Sequence, residues 1–240
     1  MATQLEIVNN ILEELREDTV TSVADSAYSK LIARFVQRAI QDMEDINWTW
    51  SVYETEITTS ITADGDVTYP LASTNARSTL IRAGNDRVPL AYDVTADGQR
   101  QLYDVPLKVV RELNALDDST PSTSAAPDVF ALYMDTATNT WAFRLLYGST
   151  TARTWKSYWY VPQATLARDG SDDTTEILLP SRPVELRALY YALNERGEEM
   201  GEPGGIAWEA SKAAIGAALE LDMQTQQRSE GLDITNSERI

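Results

Sequence analysis

Apolar positions near the start of the chain recur at helical spacing. Leu5, Val8, Leu12 and Leu15, widened by Ile11, form one stripe, and Thr3 with Glu6 ahead of it has the form of a capping box. These residues predict a short amphipathic helix. After a polar connection at residues 18–22, Ile32, Val36, Ala39, Met43 and Ile46 form a second stripe, broadened by Leu31, Phe35 and Ile40. Its opposite face carries Lys30, Arg34, Arg38, Asp42 and Asp45, which faces it toward solvent or a polar partner. At Trp48 the period shortens to two: Trp48, Trp50 and Val52 alternate with Thr49, Ser51 and Tyr53, predicting that a strand begins there.

Turn chemistry punctuates the next stretch. Ala63-Asp64-Gly65-Asp66 and Gly84-Asn85-Asp86 each separate two short runs and predict two hairpins. Residues 95–116 fit a strand or a helix, and residues 119–127, rich in Ser, Thr, Pro and Ala, read as a surface loop. Residues 129–134, 141–147 and 154–161 are β-branched and aromatic runs spaced as an antiparallel meander. Beyond Pro180 the helical period returns. Ser181 is placed to cap and Pro183 suits a first turn, while Val184, Leu186, Leu189, Tyr190 and Leu193 form the stripe. A last helix is predicted over about residues 206–226, with Trp208, Ala214, Ile215, Ala218, Leu219 and Met223 on or beside one face. The fold class is therefore α+β: a helical bundle from residues 1–47 and 181–228, a central antiparallel β domain at 48–180, and an extended tail at 229–240.

Composition narrows the chemistry. The 240 residues include no histidine and no cysteine, which removes thiolate nucleophiles, disulfides, sulfur-ligated metal sites and the usual proton shuttle. Carboxylate pairs, Lys or Tyr remain available for acid–base work, but the expectation is a protein that is not an enzyme. A formal net charge of −17 repels phosphate backbones and disfavours nonspecific binding to nucleic acid. It also serves solubility. Charges interrupt every apolar stretch of residues 1–18, so no signal peptide is expected there, and no segment elsewhere reads as a membrane span.

Candidate sites are few. Asp64-Gly65-Asp66 and Asp169-Gly170-Ser171-Asp172-Asp173 place carboxylates beside glycine, as an oxygen-ligated cation site requires, yet neither has EF-hand spacing and both read as turns. Glu195, Glu198, Glu199 and Glu202 read as a solvated face. No catalytic, cofactor or metal site is assigned, and no cofactor is expected. Trp155, Tyr158, Trp159 and Tyr160 form the densest aromatic cluster, with Trp155 and Trp159 on one strand face and the two tyrosines on the other. Such a cluster serves core or interface packing, or else recognition of sugars or bases by stacking.

The sequence resembles the head-to-tail adaptor proteins of tailed bacteriophages, the tail-tubular or head-completion type of connector. The resemblance runs through Leu5-Glu6-Ile7-Val8-Asn9-Asn10-Ile11-Leu12, Arg38-Ala39-Ile40, Trp48-Thr49-Trp50 and the stretch from Tyr158 to Pro162. It closes with Leu179-Pro180-Ser181-Arg182-Pro183 leading into Leu189-Tyr190-Tyr191-Ala192-Leu193. It implies a virion protein that forms a ring of identical subunits, commonly about twelve. Such a ring joins the portal protein to the next tail or nozzle component and lets DNA pass without sequence-specific binding. It also implies a C-terminal segment that docks on the portal, with Leu232, Ile234 and Ile240 as anchors, and acidity that keeps DNA from adhering to a channel wall. The large β portion departs from the smaller all-helical adaptors. The competing reading is a carbohydrate- or receptor-binding β module built on the aromatic strand.

Overall fold

The Thr3 hydroxyl accepts a hydrogen bond from the Glu6 amide at 3.2 Å, and the Glu6 carboxylate accepts one from the Thr3 amide at 2.8 Å. This reciprocal cap starts helix α1, Gln4–Glu14, in a computed structural model that describes residues 2–46, 48–83, 88–95, 99–116, 123–197 and 202–236. The protein is mixed α+β. Its contacts divide it into two units, Met1–Val52 with Gln163–Ile240, and Tyr53–Pro162.

The first unit is helical. Helix α2, Ala27–Glu44, is capped by Ser26 and buries Ile32, Phe35, Val36, Ala39, Ile40 and Met43, as the stripe predicts. In the second unit α3 spans Leu107–Leu116, the helical outcome for a stretch that the pattern alone leaves open. Back in the helical unit, α4 spans Ser181–Glu195 and α5 spans Glu202–Asn236. Helices α1 and α2 pack on α4, which packs in turn on α5. Three expectations change here. Pro180 rather than Ser181 occupies the cap position of α4, with no side-chain cap bond. Residues 229–236 are helical rather than extended, so Leu232 and Ile234 lie on helical backbone, while Ile240 lies outside the described residues. The third concerns residues 48–52, which belong to the helical unit and form no strand. The Trp50 indole donates to the Met43 carbonyl at 3.1 Å and the Trp48 indole to Asp222 at 2.8 Å, so the alternation of tryptophans there reflects two anchors and not a pleat. Residues 163–180 join the same unit, where Ile177 and Leu179 are buried and Gln4 bonds to the Thr175 carbonyl.

The second unit is built from strands. They are β1 (Glu54–Ile61), β2 (Thr68–Leu71), β3 (Thr79–Leu80), β4 (Arg82–Ala83), β5 (Val88–Pro89), β6 (Ala91–Asp93) and β7 (Arg100–Gln101). There follow β8 (Tyr103–Asp104), β9 (Thr123–Ser124), β10 (Val129–Asp135), β11 (Thr140–Leu145), β12 (Gly148–Ser149) and β13 (Arg153–Tyr160). One sheet runs β1-β13-β6-β7, with β3 also on β13, and a second runs β2-β11-β10-β8. The expected meander is broken, because β10 and β11 form a hairpin but β13 pairs with β1 in the other sheet. Local alternation marks a strand without naming its partner. The turn at 63–66 is likewise no hairpin, since it joins strands of different sheets. It instead approaches β12 so closely that a Cβ at Gly148 would lie 2.2 Å from the Gly65 carbonyl oxygen, so only glycine fits there. Strands β4 and β5 do pair, although their turn, Gly84-Asn85-Asp86, lies outside the described residues. The pairs β8–β10 and β9–β12 are parallel, so the unit is not purely antiparallel.

The β core is aromatic. Trp155 and Trp159 from one sheet meet Phe130 and Phe143 from the other, with ring centroids of Phe130 and Phe143 4.8 Å apart and of Phe143 and Trp155 5.8 Å apart. Edge-to-face packing of this kind adds to the gain from burial. Beneath the sheet rim, Arg153 forms an ion pair at 3.1 Å with Asp93, which is 2 % exposed and also accepts the Thr95 amide.

Candidate functional site

The amphipathic period that buries one side of α2 aligns the other. Arg34, Gln37, Arg38 and Gln41 follow one another at i, i+3, i+4 and i+7, so their long side chains share a face. Across from them runs the segment 165–168, tied down by its own backbone. The Leu166 amide donates to Gln37 Oε1 at 3.0 Å, the Ala167 carbonyl accepts from Gln4 Nε2 at 3.2 Å, and the Ala167 amide donates to Asp172 at 2.6 Å. With Leu166 buried as the anchor, Arg168 is delivered to the same place. The result is a cleft of about 630 Å³ lined by three arginines and two glutamines and by no carboxylate. Among the described residues, Arg34, Arg38 and Arg168 form no ion pair.

Arg38 is held from below. Its guanidinium lies 4.3 Å from the centre of the Tyr191 ring, and Arg187 lies 4.1 Å from the Trp208 ring. Asp42 accepts from Arg187 Nε at 2.9 Å and from the Tyr191 hydroxyl. Burial, reinforced by the hydrogen bond to Asp42, pushes the Tyr191 hydroxyl pKa up, so it stays a donor at neutral pH. These contacts knit α2, α4 and α5 together beneath the cleft. Chemically, the cleft offers fixed positive charge and planar donors, the groups that hold carboxylate or phosphate oxygens.

The residues singled out from the sequence behave differently. Trp155 and Trp159 are fully buried, and the Trp159 indole donates to Ser157 Oγ at 2.9 Å. On the opposite face the Tyr158 hydroxyl donates to Glu56 at 2.9 Å, and Tyr160 packs edge-on against Tyr53. The four therefore divide between the core and the other face and form no common stacking platform. The acidic turns spend their carboxylates on their own chain: Asp64 accepts from the Thr62 hydroxyl and the Asp66 amide, Asp169 from the Ser171 hydroxyl and amide, and Asp173 from the Val23 amide. Among the described residues no three acidic groups gather as a metal site. Glu198 and Glu199 lie outside those residues. The cleft itself was only half visible in sequence, since Arg34 and Arg38 mark the polar face of α2 while nothing local places Arg168 beside them. The interleaved Gln37 and Gln41, which extend a stripe without a carboxylate, were the available signal.

Carboxylates bonded to their own local backbone and hydroxyls predict an acid response. Asp25, Asp64 and Asp169 are each held below the ordinary aspartate value, Asp25 first by the Ser22 amide, Asp64 by the Thr62 hydroxyl and Asp169 by the Ser171 hydroxyl. A lowered folded-state pKa means that the unfolded chain binds more protons, so this stability is present above the ordinary value and is lost as pH falls through the folded values. The urea midpoint should hold between about pH 7 and 5 and fall below about pH 4. A midpoint that rises on acidification would show that relief of the −17 self-repulsion outweighs these bonds.

Comparison with protein-family models and with curated proteins finds no match to this chain. Among the described residues no helix is long and apolar enough to cross a membrane.

Proposed function

We propose that this chain is a structural virion subunit, a head-to-tail adaptor of a tailed bacteriophage that forms a ring between the portal and the next tail component. The observation that carries the proposal is helix α5. Its buried side is small over its first turns, with Gly204, Ala207 and Ser211, while Ile206 and Leu221 on its outside are 66 % and 65 % exposed. A long helix that packs on α4 and turns apolar side chains outward is suited to lateral contact with other copies. The net charge of −17 supports the further reading that DNA passes such a ring without adhering. Docking on the portal is assigned to residues 229–240, with Leu232, Ile234 and Ile240 as anchors.

The alternative, a carbohydrate- or receptor-binding module, relied on stacking aromatics, and the burial of both tryptophans takes away its best platform. Co-purification with the portal protein of its phage, with subunits counted by native mass, tests the proposal. Stoichiometric capture is expected, and removal of residues 229–240 should abolish it. A stable monomer that ignores the portal and binds a defined glycan would favour the alternative.

A further inference from the structure

We propose that the cationic cleft on α2 is the docking site for a carboxylate-bearing surface of a second copy of this chain, the patch formed by Glu13, Glu14 and Glu185. This rests on the assembly reading above and names the contact by which copies engage.

The cleft is a concentration of positive charge on a strongly acidic protein. Arg34, Arg38 and Arg168 line it together with Gln37 and Gln41, and none of the three arginines is neutralised among the described residues. Gln37 is fixed in the wall of the cleft, its Oε1 accepting from the Leu166 amide. The site therefore selects for an acceptor-rich anion.

Size separates the two macromolecular candidates. A volume of about 630 Å³ is that of a pocket which encloses a small ligand or a few side chains, and not a duplex. The net charge of −17 acts at long range against a polyphosphate. Carboxylates, in contrast, are supplied by the chain itself. On α1 and α4, Glu13, Glu14 and Glu185 line a shallow hollow with Asn10, and Arg182 is its only cation. Arg182 reaches Glu14 at 3.5 Å and Glu185 at 3.8 Å, leaving the hollow net negative. The two surfaces share no residue and both belong to the helical unit. Complementary patches at different places on one subunit are what a heterologous, head-to-tail contact requires, and such contacts close into rings when the rotation permits. Guanidinium–carboxylate pairing supplies orientation as well as attraction.

The chain has no cysteine, so introduced thiols report on one position each. A chain carrying both Gln41→Cys and Glu13→Cys, treated with a short bismaleimide, is expected to give a covalent ladder of oligomers, where each single variant stops at the monomer or dimer. Adding Arg34→Glu and Arg168→Glu, both at exposed positions, should reduce the ladder at least about tenfold, as should about 0.5 M salt. Cross-linking should return between a chain carrying Arg34→Glu, Arg168→Glu and Gln41→Cys and one carrying Glu14→Arg and Glu13→Cys, with unchanged thermal melts as the control for folding. A ladder that is absent or indifferent to these reversals overturns the docking contact. Rings that still form with the arginines reversed overturn it while leaving the adaptor reading intact. No assembled species with or without the portal removes both. If instead wild-type protein binds a short DNA duplex and the arginine reversals abolish that binding, the cleft is a nucleic-acid site and the proposal is wrong.

Discussion

Replacing Trp159 with alanine is expected to lower the stability of the β unit by about 3–5 kcal/mol. The ring is fully buried, stands on β13 opposite Thr55 of β1, and reaches across to Phe143 with centroids 6.5 Å apart. Its indole N–H is satisfied by Ser157 Oγ, which itself donates to the Ile57 carbonyl at 3.3 Å. Truncation thus opens a large void between the two sheets and also loosens a short polar chain that crosses from β13 to β1. Urea unfolding followed by near-ultraviolet circular dichroism reads the loss directly. Tyr158, one residue earlier, points the other way and is bonded to an exposed glutamate, so Tyr158→Ala should cost about 1 kcal/mol or less. Equal losses at the two positions would mean that β13 does not present alternate faces to the core and to its exterior.

Asp222→Ala is expected to destabilise the helical unit by about 2–4 kcal/mol. Asp222 is 8 % exposed and gathers four kinds of donor: the Trp48 indole at 2.8 Å, the Ser51 amide at 3.3 Å, the Ser51 hydroxyl, and Gln226 Nε2 at 2.9 Å. A single carboxylate thereby fastens the middle of α5 to the segment that follows α2. Alanine leaves the half-buried indole and amide without their acceptor, which adds a desolvation cost to the lost bonds. Asp222→Asn keeps one acceptor oxygen and should lose roughly half as much. Thermal melting and amide exchange around Ser51 and Asp222 measure both variants. If alanine were neutral, the middle of α5 would be held without this carboxylate, by packing and by the Gln226 bond to the Thr49 carbonyl at 2.7 Å.

The helices that position the cleft were legible because their signals are local. Thr3 and Glu6 lie three apart and cap what the spacing says they cap, and the Ile32–Met43 stripe buries as written. What escaped was non-local. Trp48 and Trp50 alternate like a strand but serve as donors to Asp222 and to the Met43 carbonyl, one of them 174 positions away. The partner of β13 is β1, about a hundred residues earlier, so the meander suggested by three successive runs could not be corrected from their own residues. The cleft failed for the same reason. Arg34 and Arg38 were in plain sight on α2, whereas Arg168 arrives through the Leu166–Gln37 bond, which joins positions 129 apart. The aromatic strand shows the reverse case: period-two alternation alone put Trp155 and Trp159 on one face, and that face is the core.

Electron microscopy of the chain assembled with its phage's portal protein tests the proposed role most directly. The expected image is a closed ring of this chain stacked coaxially on the portal and matching its symmetry. Bare portal rings, with this chain remaining free and monomeric beside them, would contradict it.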